Sequence, residues 1–182
     1  MKFNFKNLIK GLLALALVLG SFDSIVVQAQ PVEGNSELQL NADFFAPQGS
    51  SDKSFSLSGS YGVFVSDDLE VGIRQSYSGI FPRLASSQWL AVTSPFFDYH
   101  IRGLSDGDTI LPYIGGFLGL VWNDRDTTGT VGPNAGVKFF VAKNTFLNMN
   151  YRYEWFFDKF KRATDNRSDG NHVGQLGIGF LW

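Results

Sequence analysis

From about residue 37 onward, apolar and polar residues alternate one by one in short runs. In the run from Ser54, Phe55, Leu57, Tyr61 and Val63 alternate with Ser54, Ser56, Ser58 and Ser60. From Leu69, the set Leu69, Val71, Ile73 and Tyr77 alternates with Glu70, Gly72, Arg74 and Ser76. Phe97, Tyr99 and Ile101 alternate with Asp98, His100 and Arg102. Leu147, Met149, Tyr151, Tyr153 and Trp155 alternate with Asn148, Asn150, Arg152 and Glu154. Successive side chains on a strand point to opposite faces, so this period predicts strands with one apolar and one polar face. Clusters of Gly, Ser, Asp and Asn separate the runs and read as turns. Eight strands are predicted, over 37–46, 54–65, 69–78, 89–102, 110–122, 134–141, 145–157 and 172–182. The fifth does not alternate: Ile114, Leu118 and Trp122 sit opposite Tyr113, Phe117 and Val121, so both of its faces are apolar.

Charge parity supports the pattern. Glu37 and Asp43, Glu70 and Arg74, Asp98 and Arg102, and Arg152 and Glu154 are each an even number of residues apart. Both charges of each pair therefore share a face.

The first 29 residues follow a different rule. Lys2, Lys6 and Lys10 precede an apolar run over 12–19, and Val27, Gln28 and Ala29 follow it. Basic, apolar and small in that order predicts a secretory signal peptide over 1–29, cleaved near Ala29. The apolar run is too short for a membrane helix, which needs roughly 20 residues. The remainder, 30–182, is predicted to be one domain.

Composition narrows the solvent. The chain has no cysteine, so an exported domain here has no disulfide framework. Net charge is −2 before the signal is removed, and removal takes Lys2, Lys6 and Lys10 against Asp23. The mature chain is more acidic still, which excludes nucleic acid as a partner. Charged residues make up 18% of the chain, fewer than in an ordinary soluble domain. No mature segment has the apolar length of a membrane helix, so a membrane would have to be crossed by strands.

Alternation alone fits two barrels. A soluble barrel encloses its apolar set; a membrane barrel turns that set to lipid. Three features favour the second. The polar set is mostly Ser, Asn, Gln and Gly, not the Lys and Glu of a wetted surface. The apolar set is rich in rings suited to membrane interfaces, among them Trp89, Tyr99, Tyr153, Trp155, Phe180 and Trp182. The predicted loops 47–53, 79–88, 123–133 and 158–171 tend to be longer than the turns 66–68, 103–109 and 142–144. Outer-membrane barrels put long loops outside and short turns in the periplasm.

Three segments carry a family resemblance: Leu111-Pro112-Tyr113-Ile114-Gly115-Gly116-Phe117-Leu118-Gly119; Ala135-Gly136-Val137-Lys138-Phe139-Phe140 with Leu147-Asn148-Met149-Asn150-Tyr151-Arg152-Tyr153; and the terminal run from Gln175 to Trp182. The mature chain resembles the small outer-membrane β-barrels of the OmpA, OmpX and OmpW type. The resemblance implies an all-β fold, an eight-stranded antiparallel up-and-down transmembrane barrel in the outer membrane. It also implies a barrel-insertion signal on Gln175, Gly177, Phe180 and Trp182, read by the barrel-assembly machinery. Outer-membrane lipid and lipopolysaccharide are the other implied partners. The class hosts pores, adhesins, structural proteins and a few enzymes, so it does not fix a function.

The predicted lumen holds Glu37, Asp43, Glu70, Asp98 and Glu154 against Arg74, Arg102, Lys138 and Arg152, with His100 beside them. An eight-stranded barrel is just wide enough for its side chains to fill, and buried charges must be paired. The expectation is a plugged polar interior with a structural or surface-interaction role. A narrow solute channel is the alternative, and a lipid A-modifying enzyme a third reading. His100 has an acid two residues away but no nucleophile beside it. His172 opens the last strand near Ser168 and Asp169, without the surrounding motif of a lipid-modifying barrel. No catalytic residue, cofactor or metal site is assigned, since two histidines and no cysteine make a poor ligand set. The charged loop 158–171 is read as a solvated loop, with surface contact as its functional alternative.

Overall fold

The computed structural model describes residues 31–45, 53–81, 88–105, 109–122, 127–157 and 170–182. Eight strands form one closed antiparallel barrel in sequence order. They are β1 (Ser36–Phe45), β2 (Lys53–Phe64), β3 (Leu69–Phe81), β4 (Gln88–His100), β5 (Ile110–Trp122), β6 (Thr127–Ala142), β7 (Thr145–Phe156) and β8 (Gly170–Leu181). β1 closes the barrel against β8 from Glu37↔Leu181 to Ala42↔Leu176. The strands tilt, so one circuit along paired residues climbs about ten residues on β1, a stagger that barrel closure imposes.

The predicted signal peptide and Ser168 and Asp169 lie outside the described residues, as does most of the loop regions 47–53 and 158–171. Two expectations are corrected. The region 123–133 is not a long loop: β6 begins at Thr127 and pairs Thr127↔Trp122 through Pro133↔Gly116. Its Thr-Thr-Gly-Thr and Gly-Pro-Asn residues read as turn chemistry, but the facing β5 supplied a complete ladder and tertiary pairing prevailed. The second concerns β4, which ends at His100, so the connection to β5 spans 101–109 and is longer than the β5–β6 connection 123–126. The contrast between long and short connections is therefore weaker than expected from the sequence.

Prolines within barrel strands need explanation, because such a strand has neighbours on both sides. Pro95 pairs with Ile73 of β3, and the β4–β5 ladder skips from Thr93↔Leu120 to Phe96↔Phe117. Pro133 pairs with Gly116 of β5, and the β6–β7 ladder skips from Val131↔Trp155 to Asn134↔Arg152. In each case the missing N–H coincides with a break in one ladder while the other ladder runs on.

The apolar set faces out. Leu40, Leu57, Ile73, Phe97, Ile114, Leu118, Met149 and Leu176 are all exposed. Trp89 and Trp122 meet edge to face at the loop end, with ring centroids 5.7 Å apart. Tyr61 and Trp182 lie together near the end that carries the β1 start. At about 3.4 Å per residue and a tilt near 40°, each residue climbs about 2.6 Å, so an apolar band about 25 Å tall takes about ten residues. The two ring groups are spaced to border such a band. The set facing inward includes Glu37, Gln39, Asn41, Ser56, Ser58, Ser60, Glu70, Arg74, Asp98, Asn134, Asn148 and Asn150, all buried.

Ile73 lies on the outer face between the two ring groups, one strand across from Tyr61, and is 52% exposed. Ile73→Arg is expected to lower the stability of the barrel in lipid vesicles by about 2–4 kcal/mol, against little change for Ile73→Leu. Urea unfolding followed by tryptophan fluorescence measures it; equal stability of the two variants would place that face away from lipid.

Candidate functional site

The interior is built in layers that the stagger brings to common heights. Nearest the β1 start lies an apolar layer of Phe64, Leu111, Phe140, Phe146 and Leu181. These side chains come from β2, β5, β6, β7 and β8. Phe140 and Phe146 pack with centroids 5.2 Å apart. Gly179 is what lets Phe146 in: a Cβ there would fall within the Phe146 ring. These residues share strand parity with neighbouring inward polar groups: Phe64 with Ser60, Phe140 with Lys138, Phe146 with Asn148 and Leu181 with Gln175. That parity is the sequence signal that they point inward.

Above that layer sits Lys138, fully buried. Its Nζ donates to Glu37 at 2.7 Å (Oε1) and 2.6 Å (Oε2), and to Glu70 Oε2 at 2.9 Å. The rings of Phe64, Tyr113 and Phe146 surround the ammonium at 5.4, 5.4 and 5.2 Å. Gln39 also donates to Glu37. Gly62 leaves room for the Glu70 carboxyl, since a Cβ there would overlap it. His100 is packed between the rings of Phe64 and Tyr113, with centroids at 5.0 and 5.5 Å. Its Nε2 lies 3.6 Å from Glu70 Oε2, an electrostatic contact too long for a hydrogen bond. Two rings and a carboxylate beside the Lys138 cluster make these the surroundings of a packed ionic core.

Higher in the lumen the bonds link adjacent strands and strands two apart around the wall. Tyr113 Oη donates to Asn148 Oδ1 at 3.1 Å and accepts from Asn150 Nδ2 at 3.1 Å. Asn148 Nδ2 donates to Gln39 and Asn41. Asn134 donates to Asp98 at 2.8 Å. The Arg74 guanidinium lies over the Phe96 ring, 4.8 Å from its centroid. Arg152 Nε donates to Glu154 Oε1 at 2.8 Å, and its Nη1 to Gln175 Oε1 at 2.9 Å. Gln175 in turn donates to Asp43 Oδ2 at 3.3 Å. At the loop end, Val92 and Val121 form a second apolar cluster with Leu90 and Phe156.

The structure therefore brings Glu37, Glu70, His100 and Lys138 into one cluster, sets Arg74 and Asp98 above it, and joins Asp43, Arg152 and Glu154 through Gln175. Arg102 is the exception. It lies past the end of β4, pairs with Asp68 at 2.6 Å, and donates to the carbonyls of Pro31 and Asp67. It ties the β2–β3 turn to the first described residues instead of facing the lumen, because β4 stops two residues early. On the terminal strand, Gln175 and Gly177 face inward, while Phe180 and Trp182 are exposed on the outer face. His172 is also on the outer face, with Nδ1 2.6 Å from Tyr151 Oη. Among the described residues, no group of His, Asp and Glu could hold a metal ion.

Lys138→Met would leave two facing carboxylates buried without their cation. Removing one partner of a buried ionic group costs about 3–5 kcal/mol. The variant is expected to lose stability on that scale in a urea titration, and a loss below about 1 kcal/mol, the scale of an exposed pair, would show that the cluster is wetted.

No family model matches the chain, and no curated protein matches it. Solved structures do. The chain is similar to the N-terminal β-barrel domain of OprF from Pseudomonas aeruginosa, at TM-score 0.54 and 20% identity, over 82% of this chain and 98% of that one. It is similar to Neisserial surface protein A, at TM-score 0.57 and 19% identity, over 81% and 94%. OprG from Pseudomonas aeruginosa matches at TM-score 0.54 and 10% identity, over 86% and 99%. Identities this low establish the fold alone, and that fold is the small eight-stranded antiparallel barrel of outer-membrane proteins.

Proposed function

We propose that this chain is an outer-membrane barrel whose lumen is closed by its own side chains, and that it serves envelope integrity or contact at the cell surface. The observation that carries this reading is the pair of adjoining layers near the β1 start. Five buried apolar side chains from five strands lie beneath a lysine held by two carboxylates. Moving a hydrated solute through both would require displacing packed rings and separating buried charges, each a cost of several kcal/mol. The exposed apolar band supports the membrane location, and the fold supports an outer membrane. The setting of His100 supports a role without catalysis: its contacts are two rings and a carboxylate.

A narrow channel for small solutes is the second reading. It draws on the upper lumen, where buried Nε and Nη1 of Arg74, Oδ2 of Asp98 and Oδ1 of Asn134 have no hydrogen-bond partner among the described residues. The two readings part in planar bilayers. The closed barrel is expected to give no reproducible conductance step, with Arg74→Ala and Arg152→Ala equally silent. A stable open state in the unaltered protein, lost or widened in either variant, would replace the closed barrel with the channel.

A further inference from the structure

One place on the apolar outer face is polar. From Phe55 to Val63 on β2, Leu69 to Gly79 on β3, Trp89 to Tyr99 on β4 and Ile110 to Trp122 on β5, every outward position is described. Those positions are apolar, aromatic or Gly, except Gln75 and Thr93. Gln75 lies between the exposed Ile73 and Tyr77 on one face of β3, and Arg74 and Ser76 on the other face are buried. Thr93 keeps the phase of the exposed Trp89 and Phe97 on β4, with Val92 and Ser94 buried behind it. The two residues are direct partners across the β3–β4 ladder. Thr93 Oγ1 donates to Gln75 Oε1 at 2.6 Å. At about 2.6 Å of climb per residue, Thr93 lies about 10 Å below Trp89, well inside the band that the rings border.

A donor and acceptor balance shows what the pair leaves over. A primary amide carries two N–H donors and two lone pairs on its oxygen. Thr93 occupies one lone pair. One N–H reaches only the carbonyl of Ser76, at 3.4 Å, a long bond. One N–H and one lone pair of the same amide therefore have no partner among the described residues. Acyl chains supply neither a donor nor an acceptor, so a polar group facing them unpaired is costly. The surface beside this amide is also low. Gly59 pairs with Gln75 from the β2 side. A Cβ on Gly59 would come no nearer than 3.7 Å to Leu40 and 3.9 Å to the Gln39 carbonyl, so the position has room. The row Gly59, Gln75 and Thr93 thus forms a recess bordered by the exposed Leu57, Tyr61, Ile73 and Tyr77. Small residues beside a polar group are what let two membrane-embedded surfaces approach and bond.

We propose that this face is the contact between two copies of the chain in the membrane, related by a two-fold axis beside Gln75. Each Gln75 Nε2 donates to Oε1 of the Gln75 in the other copy, and each Thr93 keeps its bond. The occupant is a second copy because a carboxamide is its own complement: the N–H left over on one matches the lone pair left over on the other. A two-fold contact brings a residue near the axis against its own copy. The absent side chain at Gly59 lets the two walls come close enough for the amides to meet between the flanking side chains. The contact rests on the outer-membrane reading above and is indifferent to whether the lumen conducts.

The chain has no cysteine, so a single introduced thiol reports contact without background. Ile73→Cys puts a thiol beside Gln75. Met149→Cys puts one on β7, across the barrel from β3, at a position equally exposed. Barrels are inserted into phosphatidylcholine vesicles, and insertion is verified by protease protection. Mild oxidation is expected to link Ile73→Cys barrels into dimers and to leave Met149→Cys barrels single. Energy transfer between copies labelled at their amino groups, followed as lipid dilutes them, gives a dissociation constant. Gln75→Leu and Gly59→Leu are each expected to raise it at least about tenfold while gel mobility shows the barrel folded. A constant unmoved by Gln75→Leu overturns the contact, whatever Gly59→Leu does. So does a cross-link at Met149→Cys in place of Ile73→Cys, or an unaltered barrel that is single at every dilution. Failure to insert at all brings down the outer-membrane reading, whereas an inserted single barrel sinks this contact alone.

Discussion

A sheet that faces hydrocarbon cannot leave an edge. Lipid supplies no partner for backbone N–H or C=O groups, so every strand must be paired on both sides. Eight strands meet that requirement by closing on themselves, and closure then dictates the rest. It fixes the stagger, and the stagger decides which inward residues share a height. Phe64, Leu111, Phe140, Phe146 and Leu181 are far apart in sequence but form one layer, because each sits near the same end of a tilted strand. Lys138 meets Glu37 and Glu70 for the same reason.

Closure at this size also sets the chemistry of the interior. An eight-stranded lumen is narrow enough that side chains from opposite walls touch. Small residues then become spacers. Gly179 admits Phe146, and Gly62 admits the Glu70 carboxyl. The ionic cluster is best understood through its asymmetry. Its net contribution is modest, because three groups were desolvated to make it, but removing any one member leaves the others exposed to a low dielectric.

Strand number, the outward face and most of the polar lumen were legible in the sequence, because period-2 alternation and the even spacing of paired charges report facing directly. Glu37, Glu70, Arg74, Asp98, Lys138, Arg152 and Glu154 all face inward and are buried in the structure. Where the reading failed, long-range pairing had overruled local residues. The segment 127–133 carries turn chemistry and is a strand because β5 faces it. Arg102 keeps the parity of Asp98 and His100 but falls outside the barrel wall, since nothing local marks His100 as the last strand residue. The apolar layers were visible in parity at Phe64 and Phe140, yet the assumption that a membrane barrel has a polar interior concealed them. His172 could not be placed from its strand alone, because its partner Tyr151 lies across the β7–β8 register.

The cation at position 138 and its first counter-ion at position 37 are 101 residues apart in the chain, on β6 and β1. β1 emerges first during synthesis, while β6 comes late. A partly wound sheet would therefore hold acids on its early ribbons and a lone amine on a late one, with no shared interior to neutralise either. The apolar layer has the same dependence, since Leu181 comes from the final ribbon. Incomplete forms are thus penalised twice, electrically and by unfilled volume, because the charge pairing and the packed layer are lost together.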